Sequence, residues 1–266
     1  MEIWKSGRKL RRTVILYSWS IKFCHFCQKK SIFIIDATFF SSSSEFQQTL
    51  VIMCIVPNLN GGDDVQVPLL TAFMKNKKAE TYMGIYTFLL NKIKEVTEMK
   101  LEHILVVTDD ELSLHREFSD LFSSEFNVIV RLCQFHFSKT VRSWITKNGF
   151  EALINYTNKN NEKFNHDFFI QFRMVQNLSL LPVSMIVPFL EYLKNDKITK
   201  DLKIEEFYNY LIKKCSNVLF LNRLSWYEHL RENGCTYYDL TRPRIKNTKN
   251  TYSTHSQTVT KNVKKA

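Results

Sequence analysis

The sequence predicts an α/β protein in which helices cover a mixed five-stranded sheet. Three segments rich in strand-forming residues come first, near residues 31–40, 46–58 and 65–73. After them, the apolar residues switch between helical and strand periodicity. Three leading strands followed by alternating helices and strands favour a mixed sheet over a doubly wound parallel one.

The first three strands and the helix after them differ in their apolar patterns. The first strand is the apolar run SIFIIDATFF, which contains a single acid, Asp36. Pro57 ends the second strand, and Pro68 places the third at a sheet edge or at a bulge. From Glu80 onward, apolar residues recur every three or four positions, as in an amphipathic helix. They are Tyr82, Ile85, Tyr86, Leu89, Leu90, Ile93 and Val96.

The remaining elements complete the order βββ-α-β-α-β-α. The fourth strand, HILVVT, runs into Asp109, Asp110 and Glu111, and the helical segment LSLHREFSDLF follows. The fifth strand lies in FNVIVRL and leads into a helix with an apolar stripe, whose residues are Phe137, Val141, Trp144 and Ile145. Beyond it, the apolar spacing predicts a mostly helical region.

Composition and charge divide the chain into four segments. With 266 residues, 44% of them hydrophobic, the chain can bury a sizeable core. We expect a basic N-terminal segment at 1–30, an α/β core at 31–154, a helical region at 155–240 and a basic, disordered tail at 241–266. No apolar run reaches the roughly 18 residues of a membrane span, so no membrane partner is expected. The six scattered cysteines fit a reducing compartment.

The positive charge of the chain is concentrated in its two flanks. Residues 1–30 carry eight Lys/Arg and one Glu, and residues 241–266 carry seven Lys/Arg and no acid, so each flank has a net charge of +7. The residues between them hold −3 of the total of +11. Basic flanks attract phosphate backbones, although solvated tails have the same composition.

Acidic residues follow two of the predicted strands where the strands end. A carboxylate at the end of a core strand is costly to desolvate, so we expect Asp36 at a position that water or a cation can reach. In the predicted sheet, the ends of the first and fourth strands can lie side by side. This would place Asp36 on a central strand and bring it close to Asp109. Two converging carboxylates repel each other unless a divalent cation such as Mg²⁺ binds both. The alternative is that Asp109 or Asp110 caps the next helix, with Glu111 near its positive end.

Five segments in this order resemble the Mutator-like element (MULE) transposase domain. They are IIDATF, FQQTLVIM, VPLLTAFMKNKKAETYMGIYTFL, VVTDDE and CQFHFSKTVRSWI, all within residues 31–147. The resemblance continues more weakly through EEFYNYLIKKC and LSWYEHL. It implies a ribonuclease H-like fold, DNA as the partner, a nuclear location and the possibility of a homo-oligomer.

The resemblance also implies a DDE site, in which two Asp and one Glu hold two Mg²⁺ or Mn²⁺ ions. Asp36 matches the first acid and Asp109 the second. The stretch that matches the region of the third acid, RIKNTKNTYSTHSQ, contains no carboxylate. The helical region offers other candidates for a third acid, namely Glu205, Glu206, Glu228, Glu232 and Asp239.

Cys133 and His136 match the Cys-x-x-His pair of the same family and are candidate metal ligands. Two ligands do not complete a zinc site, which normally needs four, or three and a water. Cys24 and Cys27 could supply the other two, but a single Cys-x-x-Cys is a weak signal and favours ordinary half-buried cysteines. A zinc ion is therefore not expected.

Two functions from different classes follow from these observations. The first is a degenerate or domesticated transposase fragment that binds DNA without cutting it. The second is an active two-metal transposase or nuclease that takes its third carboxylate from the helical region. The lack of a matching Glu favours the first.

Overall fold

The computed structural model describes residues 2–5, 12–16, 30–38, 46–56, 65–96, 102–156 and 162–233. The chain divides into two compact units: the first contains the described residues up to Val130, and the second is Arg131–Gly234. Several predictions fall outside the described residues. They concern Cys24 and Cys27, the turn at 58–64, Asp239, and the disorder of the tail at 241–266.

Seven strands among the described residues form one sheet in the order β1-β2-β5-β4-β3-β6-β7. They are β1 (Glu2–Lys5), β2 (Arg12–Leu16), β3 (Lys30–Thr38), β4 (Gln48–Val56), β5 (Val65–Met74), β6 (His103–Thr108) and β7 (Asn127–Leu132). All five predicted strands are present and adjacent, as β3 to β7. The sheet is wider than predicted, because β1 and β2 add to its β5 edge within a segment to which the sequence assigned no element.

The sheet is mixed, as predicted. Strand β3 pairs antiparallel with β4 and parallel with β6, while β4 and β5 are antiparallel. The register of β4 and β5 shifts at Ile52/Met53, where Leu70 and then Pro68 are the partners on β5. The predicted bulge is therefore found next to Pro68. Strand β2 pairs with β5 only from Leu70 onward, so the ladder between them does not need an N–H from this proline.

Among the described residues of the first unit, two helices cover one face of the sheet: α1 (Ala79–Val96) and α2 (Leu112–Phe122). Alternate residues of the strands, among them Ile35, Leu50 and Ile52, are buried in one cluster with residues of these helices. The helical residues at the centre of that cluster are Tyr82, Ile85, Tyr86, Leu89, Leu114, Phe118 and Phe122. The predicted stripe of α1 is thus the face that packs on the sheet.

The described part of the second unit is mainly helical, as predicted for the region after the core. Its helices are α3 (Gln134–Lys147), α4 (Glu151–Ile154), α5 (His166–Gln176), a 3₁₀ turn (Leu178–Leu180), α6 (Val183–Asn195), α7 (Lys197–Asp201), α8 (Glu205–Cys215), α9 (Val218–Leu224) and α10 (Tyr227–Asn233). They enclose a separate apolar cluster that includes Val141, Phe168, Leu190 and Phe207. None of the described helices is both long enough and apolar enough to cross a membrane.

Candidate functional site

Asp36 in β3 and Asp109, directly after β6, occupy corresponding positions on two neighbouring parallel strands. In the β3–β6 ladder, Ile35 is the partner of Thr108, and each aspartate is the next residue along its chain. Neighbouring strands lie roughly 4.8 Å apart, so this register places the two backbones side by side at the carboxyl end of both strands. Strand β3 has neighbours on both sides, which makes it an interior strand of the sheet.

The carboxylate of Asp36 lies on the sheet face opposite to α1 and α2. Phe33 and Ile35 belong to the cluster under these helices, and successive strand residues point to opposite faces. Asp36 is half-buried, as expected for a carboxylate at a strand end that remains accessible to water. Across the antiparallel ladder its partner is Val51, which supplies no charge of its own.

Asp109 is not the cap of the next helix, and neither is Asp110. The N-cap position of α2 is Glu111, whose side chain makes no capping hydrogen bond. The prediction that Asp109 or Asp110 caps the helix is therefore wrong. Instead, Asp109 Oδ1 accepts a hydrogen bond from the backbone N–H of Asp110 at 2.6 Å, a short turn immediately after the strand. One oxygen of the carboxylate remains for another ligand.

A polar network lies next to this turn, around the hydroxyl of Tyr82. Gln48 Nε2 donates to the Tyr82 oxygen, and the Tyr82 hydroxyl donates to Glu111 Oε1 at 2.8 Å. Lys77 Nζ lies 3.5 Å from Glu111 Oε2. Burial raises the pKa of Tyr82 far above its usual value, so the hydroxyl keeps its proton and remains a donor. From the sequence, Tyr82 was assigned to the core stripe, and no local pattern signalled these bonds.

The candidate third acids lie in the second unit, apart from Asp239, which is outside the described residues. Glu205 and Glu206 form the first turn of α8, and Glu228 belongs to the first turn of α10, where it pairs with Arg231 at 2.6 Å. Glu232 also lies in α10. Throughout the described ranges, no three His, Cys, Asp or Glu side chains are grouped so that they could hold a metal ion. The strand register thus brings Asp36 and Asp109 together without a third described ligand.

Cys133 and His136 lie at the start of α3. Cys133 occupies the N-cap position without a side-chain capping bond, and its thiol is free and half-buried. The ring of His136 has an edge contact with Phe135, with 5.5 Å between their centroids. Cysteine and histidine at this spacing supply two ligands at most, fewer than a zinc site needs.

No protein-family model matches this chain, and no curated protein is significantly similar to it. A function for Asp36 and Asp109 therefore depends on their geometry and on the motif pattern of the sequence.

Proposed function

We propose that this chain is a MULE-type transposase-domain protein with a ribonuclease H-like core that binds DNA and has lost strand cleavage. The arrangement of its strands supports the fold. Numbered along the chain, the five adjacent strands β3 to β7 lie in the spatial order 3-2-1-4-5, with the second antiparallel to the first. This is the order expected for a ribonuclease H-like sheet. The five motifs between residues 31 and 147 support the family.

The observation that carries the proposal is the placement of Asp36 and Asp109 at the ends of adjacent parallel strands. Both carboxylates follow the same register position, Ile35 opposite Thr108, so a single cation could bind an oxygen from each. Mg²⁺ accepts one or two protein carboxylates and fills its remaining positions with water or phosphate oxygens. The residues present therefore fit one hard divalent ion.

Cleavage is not expected, because the two aspartates have no third carboxylate beside them among the described residues. Two-metal strand cleavage needs a second ion to stabilise the leaving oxygen, and that ion needs a further anionic ligand. None of the described carboxylates completes a group of three with the two aspartates. The chain can thus hold a cation against a DNA phosphate without the charge that the reaction requires.

The first test combines metal binding and strand cleavage in the full chain. We expect a calorimetric titration with Mn²⁺ to show weak binding that is lost in Asp36→Asn and in Asp109→Asn. With either Mg²⁺ or Mn²⁺, no cleavage or joining of duplex DNA should be measurable. Asp120→Asn is the control, since this exposed aspartate pairs with Arg116 on α2 and should leave Mn²⁺ binding unchanged.

Two results would contradict the proposal. Mn²⁺ binding that survives both Asp36→Asn and Asp109→Asn would place the ion elsewhere. Cleavage that is abolished by Asp36→Asn and also by a substitution of Glu205, Glu206, Glu228, Glu232 or Asp239 would instead establish the active two-metal enzyme. The five candidates can be replaced one at a time by Gln or Asn.

The DNA partner is tested through the salt dependence of binding. We expect weak binding to duplex DNA with little sequence preference, and the logarithm of the affinity should fall by about 0.9 per phosphate neutralised for each unit of log salt. Removing residues 241–266 deletes seven Lys/Arg and no acid, so the slope should become shallower by up to about six. Fluorescence anisotropy with a labelled duplex between low and moderate salt measures this slope.

The matched control for the truncation keeps the length of the chain. A variant with the seven basic residues of 241–266 replaced by Gln should reproduce the shallower slope, and one that exchanges Lys and Arg among them should keep the original slope. A slope that does not change on truncation would mean that this flank does not contact DNA.

A further inference from the structure

The network around Tyr82 connects four separate parts of the first unit. Gln48 is the first residue of β4, and Tyr82 lies in the first turns of α1. Lys77 belongs to the segment between β5 and α1. Glu111 directly precedes α2, two residues after Asp109. The network therefore links β4 and the start of α1 to the turn that carries the candidate metal ligand.

The centre of the network is fully removed from solvent. Tyr82 and Gln48 are both 0% exposed, so neither can replace a lost hydrogen bond by bonding to bulk water. Tyr82 has one proton to donate, and it is directed at Glu111 Oε1 because Gln48 donates to the same hydroxyl oxygen. A hydrogen bond to a charged acceptor is stronger than one between neutral groups. This geometry fixes the side chain of Glu111 in one position.

The side chain of Glu111 is available for this role because it does not cap α2. The N-cap normally uses its side chain to accept a bond from the first turn, whereas Glu111 makes no such bond. The helix start is instead held through the backbone, with Leu114 N–H donating to the Glu111 carbonyl at 3.0 Å. The Glu111 carboxylate instead accepts a hydrogen bond from Tyr82 in α1 and pairs with Lys77 just before α1, and these contacts attach the turn to the start of α1.

We propose that Tyr82 and Glu111 are positioning residues that hold the Asp109–Glu111 turn so that the Asp109 carboxylate stays beside Asp36. This inference rests on the proposed function, in which the two aspartates bind a divalent cation. Residues that orient the metal ligands without touching the ion typically change metal affinity about 10- to 100-fold when they are removed. Tyr82 and Glu111 are such residues, because their hydrogen bond holds the turn that carries Asp109 and does not contact the ion.

Tyr86 provides a matched control one turn further along α1. It is also 0% exposed, and its hydroxyl donates to the Leu114 carbonyl of α2 at 2.9 Å. Its ring stacks near that of Tyr82, with 6.2 Å between their centroids. Tyr86→Phe therefore removes an equally buried hydroxyl that bonds to the same helix but does not reach Glu111.

The test measures Mn²⁺ affinity and the exchange of the Asp110 backbone amide in the full chain. We expect Tyr82→Phe to weaken Mn²⁺ binding by about tenfold or more. It should also speed exchange of the Asp110 N–H, which bonds to Asp109 Oδ1. Tyr86→Phe should change neither quantity, although it removes a comparable hydrogen bond. Equal effects of the two variants on both measurements would overturn the inference, since they would reflect a general loss of stability.

A second pair of variants serves if Tyr82→Phe does not fold. The side chain of Glu111 is 22% exposed, so its replacement leaves no deep cavity. Glu111→Ala should weaken Mn²⁺ binding and speed Asp110 exchange, while Glu111→Gln keeps an acceptor for Tyr82 and should restore much of both. Identical behaviour of Glu111→Ala and wild type would overturn the positioning role.

The two measurements separate this inference from the proposed function. If the wild-type protein does not bind Mn²⁺, or binds it as tightly as Asp36→Asn does, the proposed function fails. Asp110 exchange would in that case still show whether the network holds the turn. If Asp36-dependent binding is present but Tyr82→Phe binds Mn²⁺ as wild type does, the inference fails and the proposed function stands.

Discussion

Replacing Phe118 with alanine is expected to lower the free energy of unfolding by about 3–5 kcal/mol. The Phe118 side chain is 0% exposed and lies at the centre of the aromatic cluster between α2, α1 and the sheet. Its ring stacks on Phe122 with 4.0 Å between centroids, and it has edge contacts with Tyr86 at 5.2 Å and Phe33 at 6.2 Å. Alanine would leave a cavity bordered by three rings that belong to different elements.

Urea unfolding followed by circular dichroism measures the decrease in the free energy of unfolding. Hydrogen exchange on peptides from the first unit assigns that decrease to this part of the chain. Phe135→Ala is the control, because Phe135 is 64% exposed and its removal should change the free energy of unfolding by no more than about 0.5 kcal/mol. A loss below about 1 kcal/mol for Phe118→Ala would mean that the cluster repacks around the missing ring, contrary to the tight stacking described above.

Periodicity in the sequence was sufficient to predict the elements that bury an apolar face. Strand β4 contains the unbroken apolar run LVIMCIV, which predicts a strand in the core, and most of its residues are buried. The predicted stripe of α1 is likewise buried over most of its length. For these elements the local pattern and the tertiary packing require the same residue types, so the prediction of the mixed sheet and its helices is confirmed.

The two additional strands were not predicted, because their pairing is a tertiary property. Strand β2 is five residues long and joins the sheet through β5, from which it is separated by some fifty residues. Strand β1 pairs in turn with β2. The two strands, EIWK and RTVIL, are short and do not alternate strictly between apolar and polar residues, so no local period distinguishes them from a loop. Only the available edge of β5 determines that this segment becomes part of the sheet.

The candidate site could be predicted in part, for a related reason. A carboxylate after each of two buried strands is a local signal, and the parallel register that places Asp36 beside Asp109 follows from the order of the elements. The bond between Tyr82 and Glu111 spans 29 positions, and Tyr82 also fits the apolar stripe of α1, so the stripe conceals its polar contact. Likewise, capping of α2 by Asp109 or Asp110 stayed open as an alternative because three consecutive acids precede the helix, and the contact that distinguishes Glu111 is with the distant Tyr82.

Stability is expected to fall steeply as the pH rises above about 10. Burial raises the pKa of Tyr82, Tyr86 and Tyr208 far above the usual value for tyrosine, and it raises that of Cys215 to about 12. In the unfolded chain the tyrosines lose their protons near pH 10 and the cysteine near pH 9. Between these values and the folded pKa, the unfolded state binds fewer protons than the folded state, so the free energy of unfolding decreases with rising pH. At neutral pH both states keep these protons, so these groups contribute almost no slope there.

Each buried tyrosine can lower the free energy of unfolding by at most about 1.4 kcal/mol per pH unit above pH 10, and several acting together can unfold the protein. Tyr86→Phe should therefore reduce the steepness of the loss measured by urea unfolding between pH 9 and pH 11.5, even though it lowers stability at pH 8 by removing the bond to Leu114. Tyr192→Phe is the control, since Tyr192 is 68% exposed and its removal should leave the slope as in wild type. A slope that Tyr86→Phe does not change would mean that the Tyr86 hydroxyl ionises in the folded state, which is incompatible with its complete burial against α2.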